Sequence, residues 1–249
     1  MPFKVENLGK KLLTVAMLNV VALLVSGLGT RMEWFHFTTG LAIFRWTATI
    51  GLVNAALSLL LTIVLLVMPQ NRAMAKWAAL STILAAATYM PAHLFKAKVM
   101  SLPFIHDIST DTVSPPPFVK ILELRKPDHN PSEYAGEEIA SQQRQAYPDI
   151  TPRYANMSAS DAFSKVLAVA TSFGWEVVDS DAAAGRIEAT DTTLFFGFKD
   201  DVVFRLTQEG DAIRLDVRSL SRVGKSDVGA NAERIRRIFN ALPDFKDRD

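Results

Sequence analysis

"DVVFRLTQEGDAIRLDVRSL", residues 201–220, decides how the soluble part of the chain folds. Val202, Phe204 and Leu206 fall on one side of an extended chain, as do Ile213, Leu215 and Val217. Arg205 takes the other side, with Arg214, Asp216 and Arg218. Alternation with a period of two marks half-buried strands. "QEGD" at 208–211 separates the two runs and supplies the glycine of a tight turn. The stretch therefore reads as a β-hairpin, Asp201 to Thr207 and Ala212 to Leu220. Its sheet is antiparallel, with one apolar and one charged face.

The pattern extends outward on both sides. Trp175 to Asp179 and Arg186 to Thr190, joined by "SDAAAG", read as a second hairpin with Glu176, Arg186, Glu188 and Thr190 on its polar face. Before it, Ser158 and Asp161 fit a capping box, and Phe163, Val166, Leu167, Ala170 and Phe173 recur at helical spacing until Gly174. After the first hairpin, Asp227 to Leu242 predicts a helix with Val228, Ala232, Ile235, Phe239 and Leu242 inward and Arg234, Arg236 and Arg237 outward. "FVKILEL", 118–124, predicts one further strand. The order strand, helix, four strands, helix gives an α+β fold, a two-layer sandwich of antiparallel sheet and two helices, with Trp175 and Phe204 in its core.

"SLSRVGKSDVGAN", 219–231, contains the Gly224-Lys225-Ser226 tail of a nucleotide-binding P-loop. The full motif needs a glycine five positions before Gly224, where this chain has Ser219. A P-loop also belongs in a parallel α/β sheet, so no nucleotide is expected. A weak anion or carboxylate site is the functional reading, built from Arg218, Arg222, Lys225, Ser226, Asp227 and Asn231 at a helix start. Its competitor is a plain cap, in which the Asp227 carboxylate fills the place an anion would take.

The chain of 249 residues carries a net charge of +1, unevenly spread. Residues 1–96 hold 8 Lys/Arg against 2 Asp/Glu, and 97–249 hold 19 against 24, giving +6 and −5. No basic face for nucleic acid emerges. The absence of cysteine excludes disulfides and thiol chemistry. Three charge-free apolar runs predict membrane-spanning helices at about 12–30, 46–70 and 77–95. The aromatic-rich stretch "RMEWFHFTTGLAIFRW" between the first two predicts an interfacial segment. Lys4, Lys10, Lys11, Arg72 and Lys76 on one side outnumber Arg31, Arg45, Lys96 and Lys98 on the other, five to four. That bias favours a cytoplasmic N-terminus in an inner membrane and a periplasmic region after the third span.

Residues 97–157 read as a linker, since 101–157 hold eight of the twelve prolines and "VSPPPF" favours polyproline geometry. Residues 158–249 then form the soluble domain. His106, Asp107 and Asp111 make a second polar cluster, but no further histidine at ligand spacing supports a metal.

The residues "GWEVV…AAAGRIEATDTT…FGFKDDVVFRL…DVRSLSRVGKSDVGANAERIR" resemble domain-of-unknown-function family 1499, with the likeness running over roughly 104–242. The resemblance implies an extracytoplasmic domain, as its shorter relatives carry export or lipoprotein signals. Their cysteine-bearing "PNCVSS"-like stretch is missing here, so no role of that cysteine transfers, and the family brings no activity or cofactor. A G-x-S-x-G elbow, an H-E-x-x-H pair and a glycine-rich dinucleotide loop are absent. Asp200 and Asp201 are neighbours in a strand and point to opposite faces, a poor geometry for an acid–base pair. The leading expectation is a membrane-anchored, non-catalytic module binding an envelope protein or a polar ligand. The alternative is a membrane-associated enzyme acting on an anionic or lipid substrate.

Overall fold

The computed structural model describes residues 5–248, so Lys4 of the charge count lies outside the described residues. The chain forms two compact units. One gathers the residues up to Lys98 with the short segment Leu194–Gly197; the other comprises Val99–Thr193 and the chain from Phe198 on.

In the first unit, α1 (Val5–Arg31), α2 (Phe37–Val67) and α3 (Ala75–Ser101, of which the part up to Lys98 belongs here) are joined by a short turn and by a 3-10 helix, Pro69–Met74. All three are long and apolar enough to cross a membrane. The second begins nine residues before the expected Trp46, so only Met32–His36 stays non-helical in the supposed interfacial segment. His36 starts it, its imidazole accepting from Thr38 N. At about 1.5 Å per residue its 31 residues exceed a bilayer core of about 30 Å, and the first turns reach the interface.

Burial in this unit is inverted relative to a water-soluble bundle. The buried residues of α2 are Gly40, Thr47, Ala48, Gly51, Asn54, Ser58 and Leu65, and those of α3 are Ala75, Ala78, Ser81, Ala85 and Thr88. Large side chains such as Leu18, Leu60, Ile83 and Leu94 face outward. Small residues inside let helices approach closely, and polar ones bind across them. Asn19 Nδ2 donates to Thr47 O and to Thr88 Oγ1, both at 2.8 Å, tying all three helices together. At Gly51 an added Cβ would come within 2.8 Å of Ala85 O, so the contact of α2 with α3 depends on its missing side chain.

The second unit is built on a six-stranded sheet. Its strands are β1 (Asp107–Ser109), β2 (Arg153–Ala155), β3 (Glu176–Asp181), β4 (Arg186–Thr192), β5 (Lys199–Glu209) and β6 (Ala212–Ser221). The order is β1-β6-β5-β4-β3, with β2 also on β6, and every pairing is antiparallel. The central hairpin closes through Glu209↔Ala212. Gly210, at φ +61, takes the first central position, as a II′ turn requires. Helices α4 (Glu137–Ala146), α5 (Ala159–Ser172) and α6 (Ala230–Ala241) complete the unit.

The apolar face is the expected one. Val202, Phe204, Ile213, Leu215 and Val217 form one core with Ala162, Val166 and Ala170 of α5 and Ile235 and Ile238 of α6. Trp175 and Phe204 are buried in it, with ring centroids 6.5 Å apart.

The residues taken for a linker need correction, because they belong to this unit. From Val99 on they contribute β1, α4 and β2, and their Phe118 and Ile121 pack on the charged face of the sheet. "FVKILEL" is not a strand: Ile121–Leu124 is a 3-10 helix. Its buried residues, Phe118 and Ile121, are three apart, a helical spacing, and pack on Val203 and Leu220 of the charged face. The Glu188 carboxylate accepts the Val119 and Ile121 N–H groups, each at 2.7 Å, replacing the ladder bonds a strand would make. Gln143 of α4 does the same for β1, bonding Ser109 N at 2.9 Å and Ser109 O at 2.6 Å.

Candidate functional site

The stretch from Ser219 to Asn231 leaves β6 and enters α6 through two left-handed residues, Val228 (φ 53) and Gly229 (φ 78). Asp227 fills the amides at the helix start. One oxygen accepts from Gly229 N and the other from Asn231 N, both at 2.8 Å. Burial pushes this carboxyl up, against those two N–H bonds. Ser226 Oγ accepts from Val228 N at 3.2 Å. Asn231 is fully buried, donating to His106 O and Ser221 Oγ and accepting from Ser219 Oγ and Arg234 Nη1. Lys225 is exposed, and its carbonyl lies 3.4 Å from His106 Nδ1.

The arginines grouped with this turn are spent elsewhere, a correction to the anion-site reading. Arg218 and Arg222 lie on the covered face and are only 3% and 5% exposed. Arg218 grips Asp107 through Nε and Nη2 at 2.9 and 2.7 Å. Arg222 holds Asp201 at 2.7 Å and also donates to Thr190 Oγ1. Asp201 binds a second cation as well, Arg125, at 2.6 Å. Asp200, on the opposite face, pairs with Arg234 at 2.5 Å, as strand alternation requires. The second polar cluster separates likewise: Asp107 faces Arg218, while Asp111 meets Arg205 at 3.0 Å and Arg214 at 2.8 Å. Burial would raise the Asp111 carboxyl, but the N–H groups of Ser114 and Val113 and the two arginines outweigh it and hold it below the usual range. The geometry thus gives Arg218, Arg222, Asp227, Asp107 and Asp111 each a role inside the fold.

What the covered face leaves open is a cavity of about 290 Å³, walled by Pro115, Pro117, Phe118 and Leu122 and closed by Ser132, Glu133, Tyr134 and Arg218. The Arg218 guanidinium lies over the Phe118 ring at 4.9 Å and the Tyr134 ring at 5.6 Å. The Tyr134 hydroxyl is buried without a hydrogen-bond partner among the described residues. Burial first, then the Asp107 charge, pushes its pKa up to about 12, so it stays a protonated donor. An apolar wall with a few converging polar groups is the usual make-up of a binding pocket.

Residues 107–242 match the family described as "Protein of unknown function (DUF1499)". The chain belongs to this family. No curated protein matches it. The DUF1499 region opens at Asp107 in β1 and closes at Leu242, just past α6, so it takes in both members of the Asp107–Arg218 pair and the whole pocket. Sequence reading placed Arg218 and Asp107 in different clusters and passed over Arg125 and Tyr134 altogether. Arg218 and Asp107 are 111 positions apart, and Arg125 and Asp201 are 76 apart, so no local spacing joins them. The one available signal was the charged strand face itself, since a face with that many arginines needs acidic partners if it is covered.

Proposed function

We propose that the protein is a membrane-anchored, non-catalytic binding module of the cell envelope. Its three apolar helices hold it in the inner membrane, and the DUF1499 domain stands on the periplasmic side. One observation supports binding above catalysis: the buried carboxylates are engaged by arginines, whereas the Tyr134 donor in the pocket has no partner among the described residues. General acid–base work favours a group whose pKa lies near the working pH, and a phenol pushed up to about 12 is poorly matched to it. A buried donor in the wall of an apolar pocket instead suits a carbonyl or carboxylate on an apolar segment of an envelope protein, once a small side-chain shift exposes it.

Affinity purification of the full-length protein from gently solubilised membranes tests this. A partner is expected to co-purify, and Leu122→Arg, at a rim position 44% exposed, is expected to remove it. Tyr134→Phe should weaken its retention about 2- to 13-fold, the worth of one hydrogen bond of about 0.5–1.5 kcal/mol. Equal recovery by both variants, or no partner at all, would overturn the reading. Turnover of an anionic lipid by the purified chain would favour the enzymatic alternative.

A further inference from the structure

The segment Leu194-Phe195-Phe196-Gly197 lies between β4 and β5, yet it clusters with the apolar helices. Each of its residues meets them. A Cβ on Gly27 of α1 would fall 2.4 Å from the Phe195 ring, so that ring lies flush on the helix backbone. Phe196 packs edge-on against Phe44 of α2, with centroids 5.8 Å apart. Gly197, at φ +70, sits against Arg31, where a Cβ would come within 2.9 Å of Arg31 Cα. Arg31 Nη1 donates to Leu194 O at 2.9 Å. Leu194 itself remains 85% exposed.

Two observations say what covers Leu194. The contacts fall at the last turns of α1 and the first turns of α2, close in sequence to Trp34 and Trp46, which are 62% and 60% exposed. Exposed tryptophans with nearby arginines mark the membrane–water boundary. A backbone carbonyl at that depth needs a partner from the protein, and Arg31 supplies one for Leu194. We infer that Leu194–Gly197 is a lipid-contacting loop, with Leu194 inserted among the acyl chains at the interface and Arg31 holding its backbone. The inference rests on the reading that α1–α3 cross a bilayer.

The natural absence of cysteine makes the test direct. Single variants Leu194→Cys, Leu60→Cys and Val113→Cys of the full chain, each spin-labelled and reconstituted into phosphatidylcholine–phosphatidylglycerol liposomes, are compared for collision with oxygen and with a water-soluble nickel chelate. Leu60, on α2, is 61% exposed and reports lipid; Val113, in the other unit, is 92% exposed and reports water. The oxygen-to-nickel ratio at Leu194 is expected to lie well above that at Val113 and below that at Leu60. A ratio at Leu194 equal to that at Val113, with Leu60 still in lipid, overturns the loop assignment alone. Water at all three positions overturns the membrane reading and the loop together. A Leu194 label shielded from both reagents means a protein surface covers it, and that also overturns the assignment.

Discussion

Asp201 shows how one residue can carry a disproportionate share of the structure. It is fully buried and holds two arginines, Arg222 and Arg125, along with the Thr190 hydroxyl. Removing one member of a buried pair costs about 3–5 kcal/mol, because the survivor keeps its charge without a partner. Asp201→Ala strands two cations, whereas Arg222→Ala leaves the carboxylate with Arg125. Chemical denaturation of the detergent-solubilised protein should therefore rank Asp201→Ala as clearly more destabilising than Arg222→Ala; the reverse order would refute the shared pairing. Asp227→Ala, by contrast, removes a helix cap and should cost about 1 kcal/mol. Added sulfate should not stabilise the native protein beyond general salt, since Asp227 occupies the amides an anion would use. Asp111 adds a pH dependence. Its folded pKa is lowered, so its contribution is present above the unfolded value of about 3.9 and is lost as pH falls through the folded one. Asp111→Asn should flatten that acid limb of the stability curve.

Among the elements, those that declared themselves in sequence were the ones whose partners are near in the chain. The hairpin β5–β6, the hairpin β3–β4 and helices α5 and α6 each carry a full local period, and each formed close to its expected bounds. Strands β1 and β2 have three residues apiece, too few for an alternation to show, and both pair with β6 far downstream. The prolines of 101–157 suggested a spacer, yet Pro116 and Phe118 are buried against the sheet. Composition reports stiffness but not what a stiff segment lies on. Glu188 holds that segment through two amides, and its removal orphans both donors, that of Ile121 in the interior. Glu188→Ala should therefore raise hydrogen exchange at Val119 and Ile121 while leaving the amides of Phe204 and Leu215 protected. Uniform loss of protection would mean the covering segment and the sheet open as one unit. Phe204→Ala acts on the other face, where truncating a buried aromatic costs about 3–5 kcal/mol.

For the molecule as a whole, the inverted burial of the three helices is the firmest guide, because a bundle with Gly51, Asn54 and Ser58 inside and Leu60 and Ile83 outside is unsuited to water. Leucines left in water forgo about 1.5–3 kcal/mol each relative to burial, so an outward surface of this kind suits lipid. Orientation is the remaining question at this scale. Five basic residues flank the N-terminus and the second connection, against four on the opposite side. Of those four, Arg45 lies about two turns from the start of α2, and Lys96 and Lys98 lie in the last turns of α3, close to the span ends where charge counts most. The export that the sequence resemblance implies agrees with this bias. We therefore expect the N-terminus in the cytoplasm and the DUF1499 domain outside it. Alkaline phosphatase fused after Asp249 should be active, because its disulfides form only in an oxidising compartment, and a fluorescent cytoplasmic reporter at the same point should stay dark. A fusion within Pro69–Met74 should give the opposite pair, since one further crossing separates the two points. An inactive phosphatase with a bright reporter at the C-terminus would invert the topology, placing the family domain and its pocket in the reducing interior.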